Sequence, residues 1–223
     1  MLGFIGGTGP EGRGLALRFA LAGEEIVIGS RSVERGEEAA QKVLERAPGY
    51  PVSGSTNEDA AQRSDVLFIT VPYTGQRDTL TALRDSLKGK LVVNVVAPLE
   101  FVDGSAVAVV VEEGSAAQQC QLLLPESQVV AAFQNLSARD LLRTSQSVDG
   151  DVVVCSDHAE AKATVMSMAE RIPGVRGVDG GGLANARYVE DMTTLLLNIN
   201  QIYKAHAMFR ITGVEALKAV SEG

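Results

Sequence analysis

The stretch "GFIGGTGPEG", Gly3 to Gly12, decides the fold. An apolar run enters it and a helical pattern, "RGLALRFALA", leaves it. Gly7, Gly9 and Gly12 stand at the G-x-G-x-x-G spacing, with Thr8, Pro10 and Glu11 between them. A strand, a glycine turn and a helix in that order build the first βαβ unit of a dinucleotide-binding sheet. In this reading Gly7 permits the tight turn, Gly9 lets backbone approach a pyrophosphate, and Gly12 lets helix and strand pack closely. The N–H groups at the start of the helix then face the phosphates.

About twenty residues on, "IVIGSRSVER" runs from Ile26 to Arg35. The second strand should end near residue 30, where an Asp or Glu would take both ribose hydroxyls of NAD. Gly29, Ser30, Arg31 and Ser32 offer no carboxylate there. A guanidinium and hydroxyls suit the 2′-phosphate of NADP instead, and Arg35 adds a second cation. Arginine grips phosphate through forked, charge-assisted bonds worth about 1.5–3 kcal/mol each. Glu34 is expected to face elsewhere.

The rest of the chain repeats the rhythm. Apolar runs at 1–6, 24–30, 65–71, 90–96, 128–133 and 151–155, with a weaker one at 51–54, read as strands. Helical patterns lie at 11–22, 33–46, 57–63, 75–87 and 158–171. Asn57, followed by Glu58 and Asp59, reads as an N-cap with acids in the first turn, and Ser156 or Asp157 as the cap of the helix after it. This alternation predicts an α/β fold, a Rossmann-type doubly wound parallel sheet. "LANARYVEDMTTLLLNINQIYKAHAMFR", Leu183–Arg210, reads as one long apolar helical stretch with no strand after it. The expected division is a nucleotide-binding domain over 1–180 and a small helical C-terminal cap over 181–223.

Composition limits what such a fold does. The 223 residues carry a net charge of −8 and no basic run, which argues against a nucleic-acid partner. The longest apolar stretches, "DVLFITVP" and "KLVVNVVAP", are strand-length, so no membrane span is expected. The N-terminus shows neither a charged leader nor a cleavage site, and the chain is expected to be cytoplasmic. Cys120 and Cys155 lie in apolar contexts and are expected as buried thiols. With His158 and His206 the only histidines, a His-based metal site or a Ser-His-Asp triad has little to draw on. The chemistry is therefore expected from bound cofactors.

The crevice of a doubly wound sheet lies at the carboxyl ends of its strands. Those ends read Thr70–Tyr73, Asn94–Pro98 and Phe133–Asn135, and none is an acid–base pair. Pro72 and Pro98 read as residues shaping strand exits; Tyr73 either covers a nicotinamide or lines a groove. Fewer than fifty residues follow Gly182, too few for a large substrate domain, so the acceptor must sit mostly on the sheet. Hydride transfer between two flat rings fits such a pocket, because holding the rings together supplies most of the catalysis.

"GFIGGTGPEGRGLALRFALAGEEIVIGSRS" (3–32), "STNEDAAQRSDVLFITVPY" (55–73) and "GGLANARYVEDMTTLLLNINQIYKAHAMFRITGV" (181–214) together resemble the NADPH-dependent reductases of coenzyme F420, a 5-deazaflavin. The resemblance spans residue 1 to about 214, and its C-terminal block is the part most specific to that family. It implies that Thr8 to Glu11 bind the pyrophosphate, and that Ser30, Arg31 and Arg35 bind the 2′-phosphate. It places Val71, Tyr73 and Val96 beside the nicotinamide, and Arg187 and Thr193 at the deazaflavin. Gln134 stands where archaeal relatives carry histidine; it can hydrogen-bond a ring carbonyl but cannot carry a proton. The resemblance also implies NADP and coenzyme F420 as cofactors and a homodimer, with Leu195, Leu196, Leu197, Ile199 and Ile202 as core or dimer surface.

Two other readings compete with hydride transfer to F420. One keeps the NADPH half but reduces ordinary flavins and, through them, ferric or cupric chelates. The other is a non-catalytic NADP(H) sensor, which predicts a blocked nicotinamide and no turnover.

Overall fold

The computed structural model describes residues 1–214. The chain runs β1 (Leu2–Ile5), α1 (Pro10–Leu21), β2 (Ile26–Ser30), α2 (Val33–Leu44) and β3 (Val52–Thr56). It continues through α3 (Asn57–Arg63), β4 (Val66–Ile69), α4 (Tyr73–Leu87) and β5 (Leu91–Asn94). A hairpin of β6 (Leu99–Val102) and β7 (Ser105–Ala108) follows, then α5 (Ala116–Leu123), β8 (Gln128–Ala131) and the short α6 (Ala138–Leu141). After these come β9 (Gly150–Val154), α7 (Ala159–Glu170), β10 (Val175–Asp179), a 3-10 turn (Leu183–Asn185) and α8 (Ala186–Tyr203).

Six strands form one parallel sheet in the order β3-β2-β1-β4-β5-β8. β1 is buried along its whole length because helices cover both faces of the sheet. Alternate residues feed two cores. On one face, Phe4 stacks on Phe68 with ring centroids 4.8 Å apart, and Phe19 of α1 meets Phe133 edge-on at 5.9 Å. On the other, Ile5, Val27, Ile69 and Val129 pack with Leu80, Cys120, Leu183 and Val189. The strand order reverses between β1 and β4, so the crevice opens there, outside the carboxyl ends.

The five expected helices are α1–α4 and α7, and the sheet strands lie within the expected runs except β3, which runs two residues past the expected 51–54 to Thr56. The second half departs from expectation. Residues 151–155 do not extend the main sheet. β9 pairs in parallel with β10 as a separate ribbon, and touches β8 only through an antiparallel bridge between Ala131 and Cys155. The hairpin of β6 and β7 was not expected; Asp103 and Gly104 turn it with φ of 49° and 83°, the left-handed pair a two-residue turn demands. The long helical stretch also stops early. α8 ends at Tyr203, because Lys204 takes the left-handed conformation. The following residues run beside β9, where the fully buried Asp151 accepts from Arg176 at 2.6 Å and from the Ile211 N–H at 2.6 Å.

Two expected caps are also displaced. Thr56, not Asn57, caps α3, its hydroxyl accepting from the Asp59 N–H at 3.1 Å. His158 stands at the N-cap of α7 without a side-chain capping bond, its ring pairing instead with Gln121 Oε1, while Ser156 accepts from the His158 N–H and Asp157 from the Leu183 N–H. Cys120 and Cys155 are both buried and free, and burial pushes their thiols up to about 12 and about 11.

α8 is fastened by a buried carboxylate. The oxygens of Glu190 accept from the Ala116 N–H at 2.8 Å and the Ala117 N–H at 3.1 Å, capping α5 from a distant part of the chain. Burial pushes Glu190 up to about 7, against the lowering effect of these two bonds. A carboxyl raised on folding favours the folded state most when protonated, so its contribution is full at acid pH and is lost as pH rises through about 7. That swing amounts to about 3 kcal/mol. Urea unfolding of the wild type and Glu190→Gln at pH 5 and pH 8 should show the wild type losing ground to the variant at the higher pH. A stability difference that is the same at both pH values would refute it.

Candidate functional site

A cavity of about 760 Å³ opens over the carboxyl ends of β1, β2, β4 and β5. Thr8, Gly9, Pro10, Glu11 and Gly12 form one wall, Ser30, Arg31 and Arg35 one end, and Val71, Tyr73 and Val96 the other. The glycines divide their work differently from expectation. The tight turn is made by Gly6, whose φ is +69°, and not by Gly7. The Gly6 N–H donates to Asn57 Oδ1 at 2.9 Å, so the residue expected as a cap instead ties the start of α3 to the turn. Gly7 is buried behind the cavity wall, and a Cβ on it would lie 2.6 Å from Phe4 Cβ. A Cβ on Gly12 would lie 2.7 Å from Gly7 Cα, so α1 meets the turn backbone to backbone. Gly9 meets no protein atom within 4 Å of such a Cβ and faces open space. Pro10 at the first helical position has no N–H to leave unpaired.

At the far end, Ser30 is buried as the last residue of β2, and Arg31 and Arg35 are exposed. Neither arginine forms a salt bridge among the described residues. Glu34 does not line the cavity; its own backbone and the Ser32 hydroxyl hold its carboxyl below the usual range. At the other end a buried polar chain stiffens the walls. Asn94 accepts from the Val96 N–H at 3.2 Å and donates to Gln76 Oε1 at 2.7 Å; Gln76 donates to Gln119, and Gln119 to the Tyr73 hydroxyl at 3.3 Å. Gln76 and Gln119 were not singled out in the sequence, since isolated polar residues in helix patterns carry no spacing signal; Asn57 reads there only as a cap and Asn94 only as a strand end.

A second cavity, of about 230 Å³, lies under α8. Gln134, Asn135, Thr193, Leu196, Leu197 and Asn200 line it, and Glu11 lines both cavities. Phe133 takes φ of +73°, a left-handed conformation unusual for an aromatic residue, just before Gln134 enters this cavity. Gln134 donates to the Asn94 carbonyl at 3.3 Å, and Asn135 donates to the Asp151 carbonyl at 2.7 Å. Their other amide atoms, Gln134 Oε1 and Asn135 Oδ1, are buried without a partner among the described residues. Buried acceptors in this state call for a donor in the cavity, from solvent or from a ligand. The structure brings Gln134 and Thr193 together. It leaves Arg187 outside both cavities, exposed, with its guanidinium 5.6 Å from the Tyr188 ring centroid.

A family model described as "NADP oxidoreductase coenzyme F420-dependent" matches residues 1–98. The F420-dependent NADP reductase of Methanothermobacter thermautotrophicus is 47% identical over 202 residues, which cover 88% of this chain and 87% of that one. The F420-dependent NADP reductase of Methanocaldococcus jannaschii is 39% identical over 221 residues, covering 96% of this chain and 99% of its own. The chain belongs to this family. A solved protein from Arthrobacter sp. FB24 has the same fold, with a TM-score of 0.79 at 24% identity over 92% of this chain and 95% of that one. The family match falls on the turn, the arginine-bearing strand end and β4, which are the elements that build the larger cavity.

The glycine geometry separates folding from ligand binding. Gly12→Ala should destabilise the chain by roughly 1–3 kcal/mol, because backbone must move to admit the Cβ. Gly9 has φ of −73° and ψ of 169°, which alanine adopts freely, so Gly9→Ala should fold normally and lose nucleotide affinity. Thermal unfolding and nucleotide titration of both variants check this; a Gly9→Ala protein that unfolds early, or binds as well as wild type, would contradict it.

Proposed function

We propose that the chain is an oxidoreductase moving a hydride between NADP(H) and coenzyme F420. The observation that carries this reading is its relatedness to F420-dependent NADP reductases over 87–99% of their length. Cavity geometry supports it: an open glycine cradle at Gly9, free guanidiniums at Arg31 and Arg35, and unpartnered acceptors in an adjoining pocket.

When bound side by side, the nicotinamide and the deazaflavin supply the carbons between which the hydride passes. The protein's part is to hold two rings with reacting carbons about 3–3.5 Å apart and to keep water out. Gly7, Thr8, Gly9, Pro10, Glu11 and Gly12 shape the pyrophosphate cradle, and Ser30, Arg31 and Arg35 take the 2′-phosphate. Val71, Tyr73 and Val96 wall the nicotinamide end, with Val96 and Tyr73 held by the Asn94–Gln76–Gln119 chain. Gln134 and Thr193 serve the deazaflavin from the second cavity, and Arg187 serves its exposed end. Gln134 fits a role in hydrogen bonding to a ring, not in proton transfer. In domain terms, 1–180 holds NADP and 181–223 completes the deazaflavin pocket; residues 215–223 lie outside the described structure.

We assign the assembly as a homodimer in the cytoplasm. Tyr188, Leu195 and Ile202 leave an apolar outer face on α8, with side chains 52–74% exposed. Phe101 and Val110, by the neighbouring hairpin, extend it. Asn198 fixes β7 to α8 through two bonds to the Ala106 backbone, so the two parts form one surface. No described helix is long and apolar enough to cross a membrane.

Purified protein with NADPH and oxidised F420 should bleach the deazaflavin's visible absorbance, with FMN and FAD run alongside. Turnover of FMN or FAD with none of F420 would replace this reading with a flavin or metal reductase; tight NADPH binding with no acceptor would leave the sensor. Arg31→Ala should weaken NADPH by about tenfold or more and leave NADH nearly unchanged. Equal loss for both cofactors would remove Arg31 from the phosphate. Sedimentation of Leu195→Glu/Ile202→Glu should give a folded monomer where the wild type is a dimer; an unchanged sedimentation coefficient would place the interface elsewhere.

A further inference from the structure

Glu11 occupies the second position of α1, in the wall shared by the two cavities. The residue is only partly covered, yet its Oε1 is shut off from solvent and has no partner among the described residues. An acid in this place conflicts with its surroundings. A helix start attracts anions, and the proposed occupant is a pyrophosphate. An ionised carboxyl here would repel it. No cation cancels that charge, since Glu11 forms no salt bridge among the described residues. The charged groups facing the larger cavity are Arg31 and Arg35 past β2 and Asp78 on α4. Arg13 follows on α1 itself, with its Nε buried and unpartnered. The second-cavity side contributes only neutral groups from the 134–138 turn and from α8. On α6, Asp140 is engaged by Arg143 and His206. Burial pushes the Glu11 carboxyl up to about 8, outweighing the pull of the helix start for its charged form.

We propose that Glu11 is a binding residue that works as a neutral acid: its protonated carboxyl donates a hydrogen bond to the bound nucleotide, and nucleotide binding therefore takes up a proton. This rests on the NADP(H) reading above. A protonated carboxyl supplies an O–H donor that a carboxylate lacks, and it faces phosphate oxygens without repulsion. Linkage fixes the sign. If the phosphates hold the proton on Glu11, then loss of that proton weakens the nucleotide by the same factor. Affinity is full below about pH 8 and falls as pH rises through it.

The test is titration calorimetry of NADPH into the full chain, wild type and Glu11→Gln, from pH 7.5 to 9.5 in buffers of different ionisation heat. In this range the 2′-phosphate, with its second pKa near 6, is already fully ionised and silent. The wild type should take up an increasing fraction of a proton, and its dissociation constant should rise about fivefold between pH 8 and pH 9. Glu11→Gln should show neither effect and should bind more tightly than wild type at pH 9. Infrared difference spectra of the wild type alone should show a protonated-carboxyl band gained on NADPH binding at pH 9. The proposal is overturned by proton uptake that persists unchanged in Glu11→Gln, by a flat pH profile in the wild type, or by absence of that band. Tight binding without linkage would sink this inference and leave the NADP(H) reading standing; no NADPH binding at pH 7.5 would sink both.

Discussion

The contact between Gly12 and Gly7 governs the architecture of the larger cavity. With no side chain on either residue, the first turn of α1 rests directly on the backbone leaving β1, and a single methyl group at Gly12 would come within 2.7 Å of Gly7 Cα. The helix start is thereby fixed over the strand ends, where its N–H groups face the cavity. A second contact of the same kind follows one unit later. A Cβ on Gly54 of β3 would lie 2.1 Å from the Gly36 carbonyl carbon of α2. This draws α2 down beside β2 and β3, and with it Arg35 and the turn that carries Arg31. One wall and one end of this cavity thus depend on glycine pairs in which two backbones touch.

The first half of the chain was legible because each of its elements follows a local rule. The βαβ rhythm, the glycine spacing and the missing acid after β2 are all read within windows of about ten residues. Asp103–Gly104, between "LEFV" and "SAVA", is also a local signal, and the hairpin could have been read from it. What stayed hidden depends on distant partners. β10, "VRGVD", has two charges and a glycine in five residues and no apolar alternation; it is a strand because β9 pairs with it along its full length. Asp151 has the outward features of a solvated acid. It is fully buried because Arg176, Arg210 and the Ile211 N–H converge on it from 25 to 60 residues away.

The site divides along the same line. The residues expected at the nucleotide line one cavity, Gly7 alone lying behind its wall, since the strand ends that carry them are brought together by sheet topology alone. Which glycine makes the turn was not legible, because Gly6 and Gly7 are equivalent in a sequence and differ only in backbone sign. The deazaflavin side was harder. Gln134 and Thr193 meet across 59 positions through the packing of α8 on the sheet, while Arg187, about 1.7 turns earlier on that helix, lies outside both cavities.

α8 serves the core, the second cavity and the surface at once. Its 18 residues present two opposite faces at helical spacing. On the inner face Ala186, Val189 and Glu190 enter the core and hold α5, and further along it Thr193, Leu196, Leu197 and Asn200 roof the second cavity; Tyr188, Leu195 and Ile202 look outward. The left-handed Lys204 then reverses the chain, and Asn200 Oδ1 accepts from the Ala207 N–H, so that Ala207 closes the same cavity from its far side. The pocket wall and the outward apolar face are therefore opposite sides of one rigid element. Anything that braces the outer face also fixes the roof over Gln134, because one helix carries both.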